Sequence, residues 1–156
     1  MIDKLKFIDQ DFVSQIQEIY SKDQKKVNKF LLLRTKVIDQ SIENMAKSLG
    51  LDRYYLFLAI GGYGRKEVFP SSDIDLSIID VSKNSKTKSE LLSKFITWCW
   101  DHDIKVSHSV RTFGDIKRLC KDDLKEYTSY LSSRIIFKQN QFQSKNFLKK
   151  NPLSFS

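Results

Sequence analysis

The chain has 156 residues, of which 40% are hydrophobic, 29% charged and 12% aromatic, so it can bury one sizeable hydrophobic core but not two. This composition excludes a disordered, fibrous or disulfide-scaffolded protein, and we expect a single domain. The formal net charge of +8 predicts a surface that attracts polyanions, such as nucleic acid, anionic lipid or the phosphates of a nucleotide. Charge alone does not choose among them.

No secretion signal is expected in the first ten residues, because Asp3, Lys4 and Lys6 interrupt the apolar run that such a signal needs. The longest apolar runs, 30–33 and 54–60, are too short to cross a bilayer, which takes about 20 residues. We therefore expect a cytoplasmic protein without a membrane partner. Its two cysteines, Cys99 and Cys120, are expected to be reduced core thiols.

Apolar residues in the first fifty positions recur at helical spacing. One stripe begins at Phe12, and a second runs from Val27 to Leu49 and stops at Gly50, which suits the left-handed residue after a helix. The lysines between the stripes are typical of a solvated face, with a binding patch as the less favoured alternative. We predict a helical segment over residues 1–50.

Two strands are predicted next. Residues 54–60 form a short continuous apolar run, typical of a strand buried on both faces, and the run ends on a Gly-Gly pair. After a polar turn, aspartate and serine alternate with isoleucine and leucine from position 73 to 78, which predicts a second strand with one polar face.

The remaining pattern alternates again between helix and strand. An amphipathic helix is predicted up to Cys99, a third strand over residues 104–106, and further helical stripes from Asp115 to Ile135. Trp98 and Trp100 are expected to pack in the core. Residues 138–156 are predicted to be a short helix or a loose tail.

Two aspartates of the second predicted strand, Asp73 and Asp75, stand two residues apart, so their side chains project from the same face. Crowded carboxylates repel each other unless a cation neutralises them. Hard oxygen ligands at this spacing suit Mg²⁺, which commonly binds one or two carboxylates together with substrate phosphates. Taken by itself, an Asp-x-Asp pattern is more often solvated or capping.

A glycine pair, Gly61 and Gly62, follows the first predicted strand. Without side chains, its backbone N–H groups can approach a phosphate closely, and Arg65 can add a bidentate contact. A Gly-Gly pair alone is usually only a turn. Its joint occurrence with the aspartate pair favours phosphoryl-group chemistry, in which a hydroxyl attacks and pyrophosphate leaves.

These motifs carry a family resemblance. The active-site motif of the DNA polymerase β nucleotidyltransferase superfamily is similar to Gly61-Gly-Tyr-Gly-Arg65 with the following Phe69-Pro-Ser-Ser-Asp-Ile-Asp-Leu76. More narrowly, the string resembles the N-terminal catalytic domain of bacterial protein-PII uridylyltransferases. The signature of those enzymes is also similar to Trp100-Asp101 followed by Val106-Ser-His-Ser-Val-Arg-Thr112, and residues 122–134 resemble their next helix.

The resemblance implies a fold and an activity. The fold is of the α/β (α+β) class, a polymerase β-like core with a small mixed sheet and flanking helices. The activity is transfer of UMP from UTP to a tyrosine of the PII nitrogen-regulatory protein, with Mg²⁺ held by Asp73 and Asp75. Gly61 and Gly62 match the glycine pair that contacts the nucleotide phosphates, and Ser72 matches the serine beside the metal site.

The resemblance also predicts the domain organisation. We expect the helical segment 1–50, a nucleotidyltransferase core over 51–137, and a tail over 138–156 that begins a helical region. Full uridylyltransferases continue with that region, an HD domain and two ACT domains. The chain is therefore expected to be a fragment, a truncated gene product or a stand-alone core.

The predicted site departs from the superfamily pattern in one respect. Superfamily members commonly supply a third carboxylate from a later core strand, whereas the predicted strand 104–106 carries Lys105; Asp101 and Asp103 are the nearest acidic residues. Within the family signature, His108 is expected to be a positioning residue. Arg111 is equally suited to meeting substrate phosphates and to pairing with a carboxylate.

Two alternative functions come from other classes. A catalytically incomplete remnant would keep the fold and act as a binding or regulatory module. A nucleic-acid binder would use the +8 charge, but no aromatic-basic recognition motif supports it, so nucleic acid is not expected as a partner.

Overall fold

A computed structural model describes residues 2–20, 24–82 and 86–137. These residues form helices and strands with a short 3₁₀ turn at Leu51–Arg53, and the predicted tail 138–156 lies outside them. The helices are α1 (Ile2–Tyr20), α2 (Gln24–Ser48), α3 (Gly61–Gly64), α4 (Lys86–Asp101), α5 (Phe113–Asp122) and α6 (Leu124–Leu131). The strands are β1 (Tyr55–Ala59), β2 (Ile74–Asp80), β3 (Val106–Arg111) and β4 (Arg134–Phe137).

The N-terminal helical segment is confirmed. Helices α1 and α2 pack against each other, with the rings of Phe12 and Phe30 stacked at 3.8 Å between centroids. The buried Arg34 guanidinium of α2 donates two hydrogen bonds, of 2.6 and 2.9 Å, to the carboxylate of Asp9 on α1. Gly50 follows α2 with a φ of +69°, which is the left-handed conformation expected of a residue that ends a helix.

The four strands form a mixed sheet in the order β3-β2-β1-β4, as the predicted fold class requires. Strand β1 is antiparallel to both of its neighbours, whereas β2 and β3 run parallel. All five residues of β1 are buried, in agreement with the prediction from its continuous apolar run.

Hydrophobic residues cover the two faces of the sheet unequally. The larger core lies between one face and helices α1, α2 and α4, where Ile38, Phe57, Leu76 and Phe95 are buried. Leu56, Leu58 and Ile79 of the opposite face pack against Ile116 of α5 and Tyr130 of α6. The N-terminal helices therefore share their core with the sheet. Among the described elements, the two short helices α5 and α6 cover the second face.

Two strand predictions need correction. The third strand begins at Val106, where the predicted one ends, because regular pairing with β2 starts there. Strand β3 lies at the sheet edge, and half of its residues are exposed. Its sequence, Val-Ser-His-Ser-Val-Arg, therefore mixes polar and apolar residues and does not show the apolar pattern that predicts a strand. Ile135 and Arg134, which the helical stripe and the family resemblance placed in a helix, lie in the fourth strand, β4.

The prediction for the two tryptophans is half right. Trp98 packs against the larger core. Trp100 is 63% exposed, because it lies two residues further along α4 and therefore on the solvent side of the helix.

Cys99 is buried and free, as predicted, and burial raises the pKa of its thiol to about 12. Cys120 is free and half-buried. No helix in the described ranges is long and apolar enough to cross a membrane.

Candidate functional site

The glycine turn after β1 is a single helical turn, α3, in which two glycines, Gly61 and Gly64, are not readily replaced. Gly61 has a φ of +57°, a backbone conformation that residues with a Cβ rarely adopt. A Cβ on Gly64 would lie 2.4 Å from the carbonyl oxygen of Ser132 and 3.1 Å from that of Ala59. Only glycine fits at position 64, because the turn packs directly on the backbone that leads into β4.

A buried polar cluster fixes the same turn from behind. The Arg134 guanidinium donates to both carboxylate oxygens of Asp39, at 2.7 and 2.9 Å, and to the carbonyl oxygen of Tyr63 at 3.3 Å. The Tyr63 hydroxyl donates to Asp39 at 2.6 Å. Burial, together with the charge and hydrogen bond of Asp39, raises the pKa of Tyr63 well above its ordinary value. The cluster ties α2, α3 and β4 together at the site.

Sequence reasoning missed this cluster. Its three members are separated by 24 and 71 residues, and none of them belongs to a pattern that predicts a polar contact. Tyr63 lies inside the glycine motif, which is the one signal that could have singled it out.

The structure brings the two predicted aspartates beside this turn. Asp73 immediately precedes β2 and is exposed, while Asp75 is the second residue of β2 and is half-buried. The backbone N–H of Ile60 donates to the carbonyl oxygen of Asp75 at 3.1 Å. A Cβ on Gly61 would lie 3.2 Å from the Asp75 carboxylate oxygen Oδ2. The glycine turn and the aspartate pair thus form one continuous surface.

The electrostatics of the aspartate pair are unfavourable for two charged carboxylates. Burial raises the pKa of Asp75, and the neighbouring negative charge of Asp73 raises it further. Neither carboxylate forms an ion pair with a lysine or arginine of the described ranges. A cation from outside the chain would relieve this repulsion.

A second polar network lies beneath the carboxylates on the same face of the sheet. The buried Ser77 hydroxyl shares a 2.7 Å hydrogen bond with the Tyr130 hydroxyl of α6. Arg111, at the end of β3, donates to the Glu126 carboxylate at 2.9 Å. Of the two alternatives for Arg111, the structure therefore shows pairing with a carboxylate.

The other predicted nucleotide-binding residues surround this surface unevenly. Arg65 follows the glycine turn and pairs with Glu67 at 2.7 Å, with both side chains about half exposed. A Cβ on Gly62 would lie 3.9 Å from the Arg65 guanidinium, so the arginine lies beside the glycine pair. Ser72 instead lines a cavity with Arg34 and Ile74, residues that belong to the core side of the sheet.

The parallel pairing of β2 and β3 decides which residues of the family signature reach the site. Asp75 lies opposite Ser107, and Leu76 lies opposite His108. His108 therefore shares the face of Leu76, where it lines a groove with α4, and it is not on the face of the aspartates. This placement does not support a positioning role for His108.

No third carboxylate of the described residues joins the pair. Asp103 forms an ion pair with Lys6 of α1 at 3.2 Å, and Asp101 is exposed at the end of α4. In the part of the chain that the structure describes, no group of three or more His, Cys, Asp or Glu side chains could hold a metal ion. The two aspartates still fit Mg²⁺, which can take its remaining ligands from phosphate and water.

Comparison with known proteins gives a consistent relationship. No family model matches the chain. It is 34% identical over 112 residues to the bifunctional uridylyltransferase/uridylyl-removing enzyme of Photobacterium profundum, a match that covers 70% of this chain and 13% of that enzyme. The enzyme of the same name from Acinetobacter baylyi is 34% identical over 128 residues, covering 81% and 14%.

A third relative extends the match further. The enzyme of the same name from Vibrio parahaemolyticus is 32% identical over 133 residues, which are 83% of this chain and 15% of the relative. The chain thus spans between an eighth and a sixth of the length of these relatives. These matches confirm the resemblance seen in the motifs, and the chain is related to the bifunctional uridylyltransferase/uridylyl-removing enzymes, a family of nucleotidyltransferases.

Proposed function

We propose that this chain is a Mg²⁺-dependent nucleotidyltransferase that transfers UMP from UTP to a tyrosine hydroxyl of the PII signal protein. The observation that carries the proposal is the pair of carboxylates, Asp73 and Asp75, held against the side-chain-free surface of Gly61 without a cationic partner in the described ranges. The names of the relatives support uridylyl transfer as the reaction class.

The aspartates are the proposed metal ligands. Their two carboxylates would hold Mg²⁺, which supplies neutralisation of phosphate charge and polarisation of the phosphoryl group when bound. The rigid pairing of β2 within the sheet keeps both side chains on one face. Such preorganisation is what phosphoryl transfer needs from a protein, since positioning and charge stabilisation supply most of the rate enhancement.

The proposed reaction is a substitution at the α-phosphorus of UTP. A new bond forms between the acceptor oxygen and phosphorus, the bond to the bridging oxygen breaks, and pyrophosphate leaves with that electron pair. The acceptor hydroxyl loses its proton, which passes to the solvent. Gly61 and Gly62 would let the triphosphate approach the backbone, because neither residue carries a side chain.

Arg65 and Ser72 are proposed to complete the nucleotide contacts. The exposed ion pair of Arg65 with Glu67 contributes at most about 1 kcal/mol, so a phosphate can displace the carboxylate at little cost. Ser72 directly precedes Asp73 and lines a cavity at the same end of the sheet, which would place it at one end of the triphosphate.

A second function, a non-catalytic binding or regulatory module, is favoured by one specific observation. Lys105 stands where the neighbouring strand could have supplied a third carboxylate, and no acidic group replaces it in the described ranges. Transfer of UMP from labelled UTP to PII by the intact chain, abolished by Asp73→Asn, would exclude this alternative.

The first experiment is titration calorimetry of UTP against the intact chain with and without Mg²⁺. We expect binding that requires the metal and that weakens by at least about 100-fold in Asp73→Asn, as for the loss of a principal charged contact. Asp101→Asn is the matched control, because Asp101 is exposed on α4 away from the site, and it should bind UTP normally. Metal-independent binding, or equal losses in both variants, would contradict the proposed site.

A further inference from the structure

The start of β3 lies next to the aspartate pair. The backbone N–H of Ile74 donates to the carbonyl oxygen of Lys105 at 2.8 Å, directly before the paired residues Ile74 and Val106. One step earlier in the same parallel register, Lys105 therefore lies beside Asp73. Neighbouring strands are about 4.8 Å apart, so the two residues are adjacent across the sheet.

Alternation along both strands fixes the face on which these side chains lie. Ile104 and Val106 pack into the larger core, together with Ile74 and Leu76. Lys105 must consequently project to the opposite face, which is the face of Asp73 and Asp75. The structure thus places one lysine and two aspartates on a single face at one end of the sheet.

The charges of these three residues are free to act on a ligand. Lys105 is exposed, and its side chain forms no ion pair or hydrogen bond with any residue of the described ranges. It also borders the cavity that Ser72 lines, at this same end of the sheet. The carboxylates of Asp73 and Asp75 likewise have no ion pair in the described ranges. The local charge is then −2 from the aspartates and +1 from the lysine, which sums to −1.

This balance limits how many cations the site can take. One divalent ion bound by the aspartates already turns the local charge positive. A second divalent ion on the β3 side would lie on the same face as the Lys105 ammonium, and the two positive charges would repel each other. A triphosphate carries enough negative charge to attract both the first ion and the ammonium.

We propose that the site takes a single divalent cation and that the Lys105 ammonium supplies the second positive charge that faces the phosphates of the bound nucleotide. This inference rests on the proposed function, because it assigns a role to Lys105 within the same site. Lys105 is then a nucleotide-binding residue, and the chain handles its triphosphate with one metal ion and one side chain.

The test counts bound Mn²⁺ by electron paramagnetic resonance in the presence of α,β-methylene-UTP, which cannot be cleaved at the reacting bond. We expect one Mn²⁺ per chain for the unaltered protein and two for Lys105→Glu, in which a third carboxylate replaces the ammonium. Lys94→Glu is the matched control, since Lys94 is exposed on α4 and undergoes the same charge change. It should keep one Mn²⁺.

Nucleotide affinity gives an independent readout. Lys105→Met should bind the Mn²⁺ complex of the same analogue about tenfold more weakly, with the count of one Mn²⁺ unchanged. Two ions on the unaltered chain, or one ion on Lys105→Glu, would overturn the inference while leaving the proposed function standing. No Mn²⁺ on the unaltered chain would overturn both. All variants change exposed residues, so circular dichroism is expected to show an unaltered fold.

Discussion

Two carboxylates near the ends of β2, Asp75 and Asp80, have opposite surroundings. Burial alone would raise the pKa of Asp80, but hydrogen bonds from Lys88 and Ser82 and the charge of Lys88 lower it below its ordinary value. The Lys88 ammonium lies 2.5 Å from the Asp80 carboxylate. At the other end of the strand, burial and the charge of Asp73 raise the pKa of Asp75.

The difference separates carboxylates that have a counter-charge within the described ranges from those that we propose bind a ligand. Asp80, like Asp39 with its bidentate partner Arg134, carries its own counter-charge and contributes to the fold. Asp75 has no such partner in the described ranges, and it lies beside a second carboxylate. A chain that leaves this repulsion in place is expected to relieve it with a ligand, which is why the uncompensated end of β2 carries the proposed site.

The largest effect should follow from removing the counter-charge of a structural carboxylate. Arg134→Met leaves Asp39 partly buried and unpaired, and we expect it to lower the free energy of unfolding by about 3 kcal/mol. Arg118→Met is the control, because Arg118 pairs with Asp115 while 75% exposed, and its loss should cost less than about 1 kcal/mol. Chemical denaturation measures both. Equal losses would show that the buried cluster does not hold the turn.

A smaller loss of stability should distinguish alanine substitutions at two glycines of the site, Gly64 and Gly62. Gly64→Ala places a Cβ against the carbonyl oxygen of Ser132 and should cost about 2 kcal/mol, because the backbone must shift. In Gly62→Ala the nearest atom is 3.7 Å away and the φ is not positive, so the stability should be unchanged or slightly higher. Thermal unfolding compares them. A stable Gly64→Ala would mean that the turn is free to move away from β4.

The smallest changes in stability are expected from replacing Asp80 or Asp75 with asparagine. They test the comparison of these two aspartates directly, because the two changes should have opposite signs. At pH 7, Asp80→Asn should lose about 1 kcal/mol of stability, whereas Asp75→Asn should gain about 0.5 kcal/mol. The stability that Asp80 contributes is present above the ordinary carboxyl pKa of 3.8 and is lost as the pH falls through its lowered value. The cost of charging Asp75 appears as the pH rises through its raised pKa.

Both differences should therefore shrink as the pH falls, because a protonated carboxyl group resembles its amide. The difference for Asp75 should be lost below pH 3.8, and the difference for Asp80 only below its lowered pKa. Melting temperatures of the two variants and the unaltered chain across this range are the measurement. Added Mg²⁺ should stabilise the unaltered chain at pH 7 but not Asp75→Asn. A loss of stability in Asp75→Asn at pH 7 would mean that its carboxylate has a structural partner after all.

Local sequence patterns were enough for much of the fold. The helices α1 and α2, the buried strand β1 and the start of β2 follow from residue periodicity and from the glycines that interrupt it, which act within a few positions. Patterning failed at the sheet edges. Strand β4 has an apolar run that also fits a helical stripe, and its pairing with β1 depends on residues about 77 positions apart, as in Leu58 with Ile135.

The sequence by itself determined which groups the proposed site can use, because the two aspartates at strand spacing and the glycine pair are all local to one segment. Only the tertiary structure decided how they are held and what they face. The Asp39–Tyr63–Arg134 cluster, the contact of Gly64 with Ser132 and the place of Lys105 beside Asp73 all join distant segments. Such contacts form only when distant segments of the chain come together and the strands pair in one register, and the periodicity of nearby residues does not specify either.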